Sequence, residues 1–347
     1  MSSIGICGHF GGEQPSSSGQ TIKTKTVTNE LKEFFGEDKV KCMNTNNWKY
    51  KPFNMLLQCF LLIKKCRHIV ILPAQNGVKV LIPLFVILNL FFRRKIHYVV
   101  IGGWLPEMVK RKRWLYHYLK KINGIYVETH TMKGNLESLE LTNIFYMPNF
   151  KKIDILNENE LKKEFSKPFP LCTFSRVVKE KGIEDAIKAV EHINQLANDV
   201  IFTLDIYGQI DTSYKDNFEK ILESSNDYIN YCGIVNSEQS VKTLRDYFIL
   251  LFPTYYEGEG FPGTLIDAFS AGVPIVASNW KYNSEIIEEG KTGRIVPPKK
   301  VEELVEALQY FVEHSEKLFS MKKYCIIEAE KYSPINALKL FINELKK

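Results

Sequence analysis

Between Phe252 and Ser278 the chain reads FPTYYEGEGFPGTLIDAFSAGVPIVAS, a segment rich in groups able to hold an anionic ligand. A strand ending at Phe252 runs into a loop of glycines and prolines. A short helix follows from near Thr264 to Gly272, and Pro274 beyond it is a normal helix stop. Glu259 in the loop and Asp267 one turn into the helix can face the same cleft. Gly258, Gly260 and Gly263 let the backbone approach a ligand closely, and the helix N-terminus offers amides to an anion. Upstream, FSRVVKEKGIEDAI at Phe174–Ile187 places Arg176 and Lys181 five residues apart, with Gly182 ahead of a helix. Arginine grips phosphate oxygens in pairs, and lysine acts as a point charge. By itself the Arg-x4-Lys-Gly spacing fits a solvated loop equally well; its force comes from the 259–274 segment.

These residues need elements to position them. Strand-like runs at 3–7, 68–72, 96–101, 125–128 and 144–146 alternate with helical patterns such as 21–35 and 105–122. The second half repeats the scheme, with strands expected at 171–175, 201–207, 229–231, 249–252, 274–277 and 293–296. Short apolar strands between helices predict parallel sheets covered on both faces. The boundary is expected in the lysine-rich stretch Asn149–Phe169, giving domains at 1–160 and 161–330. A last helix at 335–345 follows Pro334 and is free in sequence to pack on either domain. Ligands of such sheets bind at the carboxyl ends of the strands.

The 252–278 segment resembles the donor motif of family 4 retaining glycosyltransferases, which have the GT-B fold of two doubly wound Rossmann-like domains facing across a cleft. The family pattern of Glu-Gly-Phe, a second acid eight positions after the first, then Ala-x-Ala-x-Gly-x-Pro corresponds here to Glu259, Gly260, Phe261, Asp267, Ala268, Ser270, Ala271, Gly272 and Pro274. The resemblance implies that Glu259 and the backbone of Gly260, Phe261, Pro262 and Gly263 hold the donor sugar. It implies that the amides of Thr264 and Leu265 meet the diphosphate, and that Asp267 binds the ribose. Asp267 stands where Glu is usual, one methylene short. The family also keeps Arg and Lys at the spacing of Arg176 and Lys181 for the diphosphate. It places a glycine like Gly208 near the nucleotide and a loop like Gly233-Ile234 beside the base. Glu285-Ile286-Ile287 and Gly290–Gly293 fit the stretch that follows.

The first half matches less specifically. Its loop Gly8–Gly19 is glycine- and serine-rich, and Gly11 and Gly12, with Gly19, are the candidates for the phosphate- and acceptor-facing turn. Many relatives carry a His at the end of a middle strand here; this chain reads Val100-Ile101-Gly102-Gly103-Trp104 instead, leaving His9 and His130 as the polar candidates. Other signatures fail. Glu285 stands where a P-loop ending at Lys291-Thr292 needs glycine, and there is no Gly-x-Ser-x-Gly elbow. No Asp-x-Asp metal pair is found, and no metal or cofactor is expected.

Residues 1–150 carry a net charge of +12 and residues 151–347 one of −6. A basic first half suits an anionic partner such as a membrane surface or lipid phosphate. Nucleic acid is not expected, because no recognition motif accompanies the charge. Seven scattered cysteines without a Cys-x-x-Cys pair point to a reducing compartment, and the N-terminus lacks a signal-peptide pattern. The apolar run 80–92 is shorter than the roughly 20 residues of a spanning helix and reads as a buried helix. Trp114, Leu115, Tyr118 and Leu119 form a stripe flanked by Lys110–Arg113 and Lys120-Lys121, which suits a core-packed helix and a membrane-surface helix equally. The expected protein is a cytoplasmic glycosyltransferase, peripheral on the membrane. It would use a nucleotide sugar and a saccharide or lipid-linked saccharide acceptor in surface-polysaccharide synthesis. The rivals are a nucleotide-sugar epimerase of the same fold and a non-catalytic partner of a glycosyltransferase.

Overall fold

Apolar strands buried on both faces build two separate six-stranded parallel sheets. The structure, a computed structural model, describes residues 3–12, 19–46, 48 and 50–347. Residues 13–18 of the expected phosphate-facing loop lie outside the described residues. The chain divides into two units, one of Met1–Asn149 with Pro334–Lys347 and the other of Phe150–Ser333.

In the first unit the strands are β1 Ile4–Gly8, β2 Val40–Asn44, β3 His68–Leu72, β4 Lys95–Val99, β5 Gly124–Val127 and β6 Ile144–Tyr146. They lie in the order β2-β1-β3-β4-β5-β6. Between them run α1 Gly19–Phe35, α2 Pro52–Lys65, α3 Gln75–Phe92, α4 Leu105–Arg111, α5 Arg113–Leu119 and α6 His130–Glu137. Every residue of β1 and β3 is buried, as a sheet covered on both faces requires. The edge strand β2 escapes the periodicity argument because only Val40 and Met43 are buried, while Lys41, Cys42 and Asn44 are exposed. The last helix of the chain, Pro334–Lys346, belongs to this unit; its Phe341 ring lies 4.5 Å from Tyr126 and 5.9 Å from His97.

Two helical expectations change here. The 105–122 helix breaks at Lys112, whose φ of −124° and ψ of 73° are not helical. Leu115 and Leu119 are fully buried, whereas Trp114 is exposed, so the expected stripe divides between core and surface. The 80–92 run is not simply buried. Val78, Leu81, Ile82, Phe85 and Val86 of α3 face the core, but Ile87, Leu90 and Phe91 are exposed.

The second unit contains β7 Phe169–Phe174, α7 Ile183–Ala197, β8 Phe202–Tyr207, α8 Lys215–Ser224, β9 Ile229–Gly233 and α9 Ser240–Leu244. It continues with β10 Ile249–Phe252, α10 Gly263–Ser270, β11 Ile275–Ser278, α11 Asn283–Ile286, β12 Gly293–Val296, α12 Val301–Glu313 and α13 Ser315–Glu330. The order β12-β11-β10-β7-β8-β9 is doubly wound, with its reversal between β7 and β10. Leu171, Phe202, Leu204, Ile206, Phe248, Ile249 and Leu251 fill its core. α7 presents Ala186, Ile187, Val190 and Ile193 to it at helical spacing.

Candidate active site

An open α/β sheet binds ligands outside the carboxyl ends of its strands, at the point where strand order reverses. In the second unit that point lies between β7 and β10, and the chain leaving each strand carries the predicted charges. After β7 come Arg176 and a 3-10 turn at Lys179–Lys181; after β10 come Thr254 and Glu259. Lys181 Nζ and Glu259 Oε2 are 2.6 Å apart, although 78 residues separate them in sequence. Their side chains retain only 11% and 9% of full exposure. The hydroxyl of Thr254 donates to the same Glu259 oxygen over 2.9 Å. The Lys181 ammonium also lies 5.2 Å from the Phe252 ring centre and 5.3 Å from that of Tyr256, within cation–π range. Arg176 is more open; its guanidinium is 3.8 Å from Asp211 and 5.6 Å from the Tyr256 ring.

The loop holding Glu259 is pinned on several sides. Tyr255 N–H donates to Glu180 O over 2.8 Å, and Trp280 Nε1–H donates to Tyr256 O over 2.8 Å. The Ser278 hydroxyl donates to Thr254 O. A side chain at Gly182 would place its Cβ 2.2 Å from Pro253 O, and φ there is +70°, so the turn carrying Lys181 reaches the β10 loop only as glycine. Gly208, after β8, has φ +141° and would place a Cβ 1.8 Å from Ser175 O. Its N–H donates to Gly233 O over 2.8 Å, which brings the Gly208 and Gly233 turns together; Ile234 beside them is exposed. Burial, and then the hydrogen bond to Asp205, pushes the Tyr247 phenol well up, so it remains a donor beside this edge.

Helix α10 begins here. Pro262 at its N-cap supplies no side-chain acceptor to the first-turn amides. The Thr264 hydroxyl donates to Phe174 O over 2.6 Å, tying that first turn to the end of β7. Leu265 N–H donates to Pro262 O over 3.2 Å. The Phe261 ring is buried 4.9 Å from Tyr332, and the Leu265 side chain is fully buried, so both anchor the loop and the helix start in the core. Asp267 is buried, with Oδ1 accepting from Ser240 over 2.9 Å and Oδ2 paired with Lys151.

The structure thus gathers Lys181, Glu259, Gly260, Phe261, Pro262, Gly263, Thr264, Leu265 and Asp267 along one loop and helix start. Gly11 and Gly12 belong to the first unit. There Gly11 has φ +88°, its carbonyl accepts from Asn44 Nδ2 over 2.9 Å, and His9 Nδ1 lies 2.8 Å from the Thr21 hydroxyl. His130 stacks on Tyr146, with ring centres 3.9 Å apart. Thr254, Ser240 and Lys151 join the site without belonging to any of its sequence motifs. Thr254 carried a local signal, lying between the end of β10 and Glu259, whereas Lys151 is 116 residues from its partner.

The sequence model of a family described as "Glycosyl transferases group 1" matches residues 156–328. The second unit belongs to the glycosyl transferases group 1 family. The chain is 28% identical over 241 residues to the poly(ribitol-phosphate) alpha-N-acetylglucosaminyltransferase of Staphylococcus aureus (strain COL), covering 67% of this chain and 46% of that protein. It is 28% identical over 160 residues to the UDP-N-acetylglucosamine–peptide N-acetylglucosaminyltransferase GtfA subunit of Streptococcus agalactiae, covering 46% of this chain and 30% of that protein. The chain therefore spans less than half the length of these curated relatives. A crystal structure of Anabaena HepE in complex with UDP superposes with a TM-score of 0.74 at 13% identity, over 99% of both chains. That likeness, together with the two doubly wound sheets, establishes a two-domain α/β fold of the GT-B type.

Proposed function

We propose that the chain moves a sugar from a nucleotide-diphosphate donor to a hydroxyl of a saccharide acceptor, with retention at the anomeric carbon and without a metal or other cofactor. The Lys181–Glu259 pair beside the start of α10, at the reversal point of the sheet, carries this reading. Negative charge develops on the departing diphosphate as the bond from the anomeric carbon to the phosphate oxygen breaks. Lys181, Arg176 and the first-turn amides of α10 are the groups able to stabilise it. Glu259, with Thr254 fixing one oxygen, positions the sugar hydroxyls. The acceptor oxygen bonds to the oxocarbenium-like carbon, and its proton passes to the leaving phosphate oxygen. Asp267 reaches the ribose directly or through water while keeping Ser240 and Lys151. The Staphylococcus relative is named for a poly(ribitol-phosphate) acceptor. This supports a role in surface-polysaccharide synthesis, such as capsule or lipopolysaccharide. We extend it to a lipid-linked saccharide acceptor and a peripheral position on the cytoplasmic membrane face, which the basic first half suits.

Calorimetric titration with UDP, the nucleotide in the Anabaena complex, tests the donor site in chelator. Saturable binding that Asp267→Asn weakens is expected. Retained binding with no sugar transfer, either in chelator or with added Mg²⁺, would leave a donor-binding protein and overturn the transferase reading; transfer that appears only with Mg²⁺ would overturn its metal independence.

A further inference from the structure

Helices α2 and α3 pack side by side, and α3 packs in turn on α5. Their inner faces are ordinary core. Their outer faces are not ordinary surface. On α2, Phe53 is 86% exposed and Leu57 56%, with Phe60 and Leu61 beside them. On α3, Leu90 is 69% exposed and Phe91 82%. The two rows meet where the Phe60 and Phe92 rings lie edge to face at 5.5 Å. A contiguous apolar surface of this kind marks an interaction site, because water solvates it poorly.

The stretch of chain that carries the patch has charges of one sign. No Asp or Glu occurs anywhere between Asp38 and Glu107. Lys64 and Lys65 end α2, and Arg93 follows α3; all three are exposed. An open hollow between α2 and β2 sets Lys41 and Lys65 beside the exposed Leu61. On the α5 side, exposed Trp114 follows the basic run Lys110–Arg113.

We propose that the outer face of α2 and α3 docks on an anionic lipid bilayer, lying in its interface without crossing it. This deepens the peripheral-membrane part of the reading above and gives it a surface. Apolar side chains enter the acyl boundary while the cations at the helix ends meet lipid phosphates. A protein partner would need acidic groups to match these cations and apolar ones to match the exposed rows; an anionic bilayer presents both over any area. Although α3 is long and apolar enough to span a membrane, Val78, Leu81, Ile82, Phe85 and Val86 hold one of its faces in the core. Crossing would strip that face from the sheet.

The test is co-sedimentation with vesicles of mixed phosphatidylglycerol and phosphatidylcholine, and with vesicles of phosphatidylcholine alone. The wild-type chain is expected to bind the first far better than the second, and less in high salt. Lys64→Gln, Lys65→Gln and Arg93→Gln together lower the partition coefficient on the order of a hundredfold, from about 1 kcal/mol per cation. Phe53→Ser, Leu57→Ser, Leu90→Ser and Phe91→Ser together abolish binding. UDP titration of the same preparations shows that the variants are folded and keeps the donor reading separate: vesicle binding without UDP binding defeats only that reading. Equal binding to both vesicle types, no binding to either, or unchanged binding by both variants overturns the proposal. So does a wild-type dimer by light scattering that becomes monomeric in the four-serine variant, since a second copy would then cover the face.

Discussion

Replacing Lys181 with Met should do two separable things. Lys181 and Glu259 are nearly out of water, and their 2.6 Å contact is supported on the carboxylate side by Thr254 alone among the hydrogen bonds described above. Removing the cation strands a buried carboxylate, a loss of about 3–5 kcal/mol. For a domain of this size that corresponds to a fall in melting temperature of roughly 6–20 °C. The double variant Lys181→Met with Glu259→Gln removes both charges and should melt within a few degrees of wild type. Binding behaves differently. A charge-assisted contact to a diphosphate contributes about 1.5–3 kcal/mol, so the double variant should still bind UDP roughly ten- to a hundredfold more weakly. Differential scanning fluorimetry and calorimetric titration on the four proteins of the cycle give both readings. An unchanged melting temperature in Lys181→Met would refute the buried pair. Wild-type UDP affinity in the double variant would refute the anion clamp.

Two further outcomes follow from buried bases. His68 Nδ1 and His97 Nε2 are 3.1 Å apart, and His97 Nδ1 is 3.0 Å from the Tyr126 hydroxyl. Burial first, then Lys95 and Arg67 at His68 and then His68 and Lys95 at His97, lowers the two imidazoles to about 4 and about 3. The unfolded chain takes up protons below about pH 6.5 that the folded one refuses. Stability is therefore full above that pH and falls as pH drops toward 4; His97→Asn should flatten the profile of melting temperature against pH, and an unchanged slope would sink the assignment. Lys322 is fully buried, its ammonium has no hydrogen-bond partner, and burial lowers it to about 8. Keeping it charged at pH 7 costs on the order of 3 kcal/mol, so Lys322→Met should raise the melting temperature and remove the stability gained between about pH 8 and 10. A melting temperature that does not rise would refute the cost assigned to the buried charge.

Local pattern alone determined much of this protein. The alternation of short apolar strands and helices was enough for two doubly wound sheets. The glycines and acids of 252–278, with Arg176 and Lys181, marked one loop as the candidate donor site, because backbone freedom and charge type are written residue by residue. Ambiguous local composition leaves other elements undetermined. β2 is an edge strand whose outward residues are polar, so its periodicity is faint. The stripe at 114–119 fitted both a core and a surface, and the apolar run 80–92 read as a buried helix although Ile87, Leu90 and Phe91 are exposed; no sequence period tells which face the sheet will cover. Only the tertiary structure set Lys181 on Glu259 and Lys151 on Asp267, since strand order decides which distant loops meet. It also separated the halves of α3, burying Phe85 and exposing Phe91, because the neighbours of a helix, not its own hydrophobicity, determine how much of it leaves water.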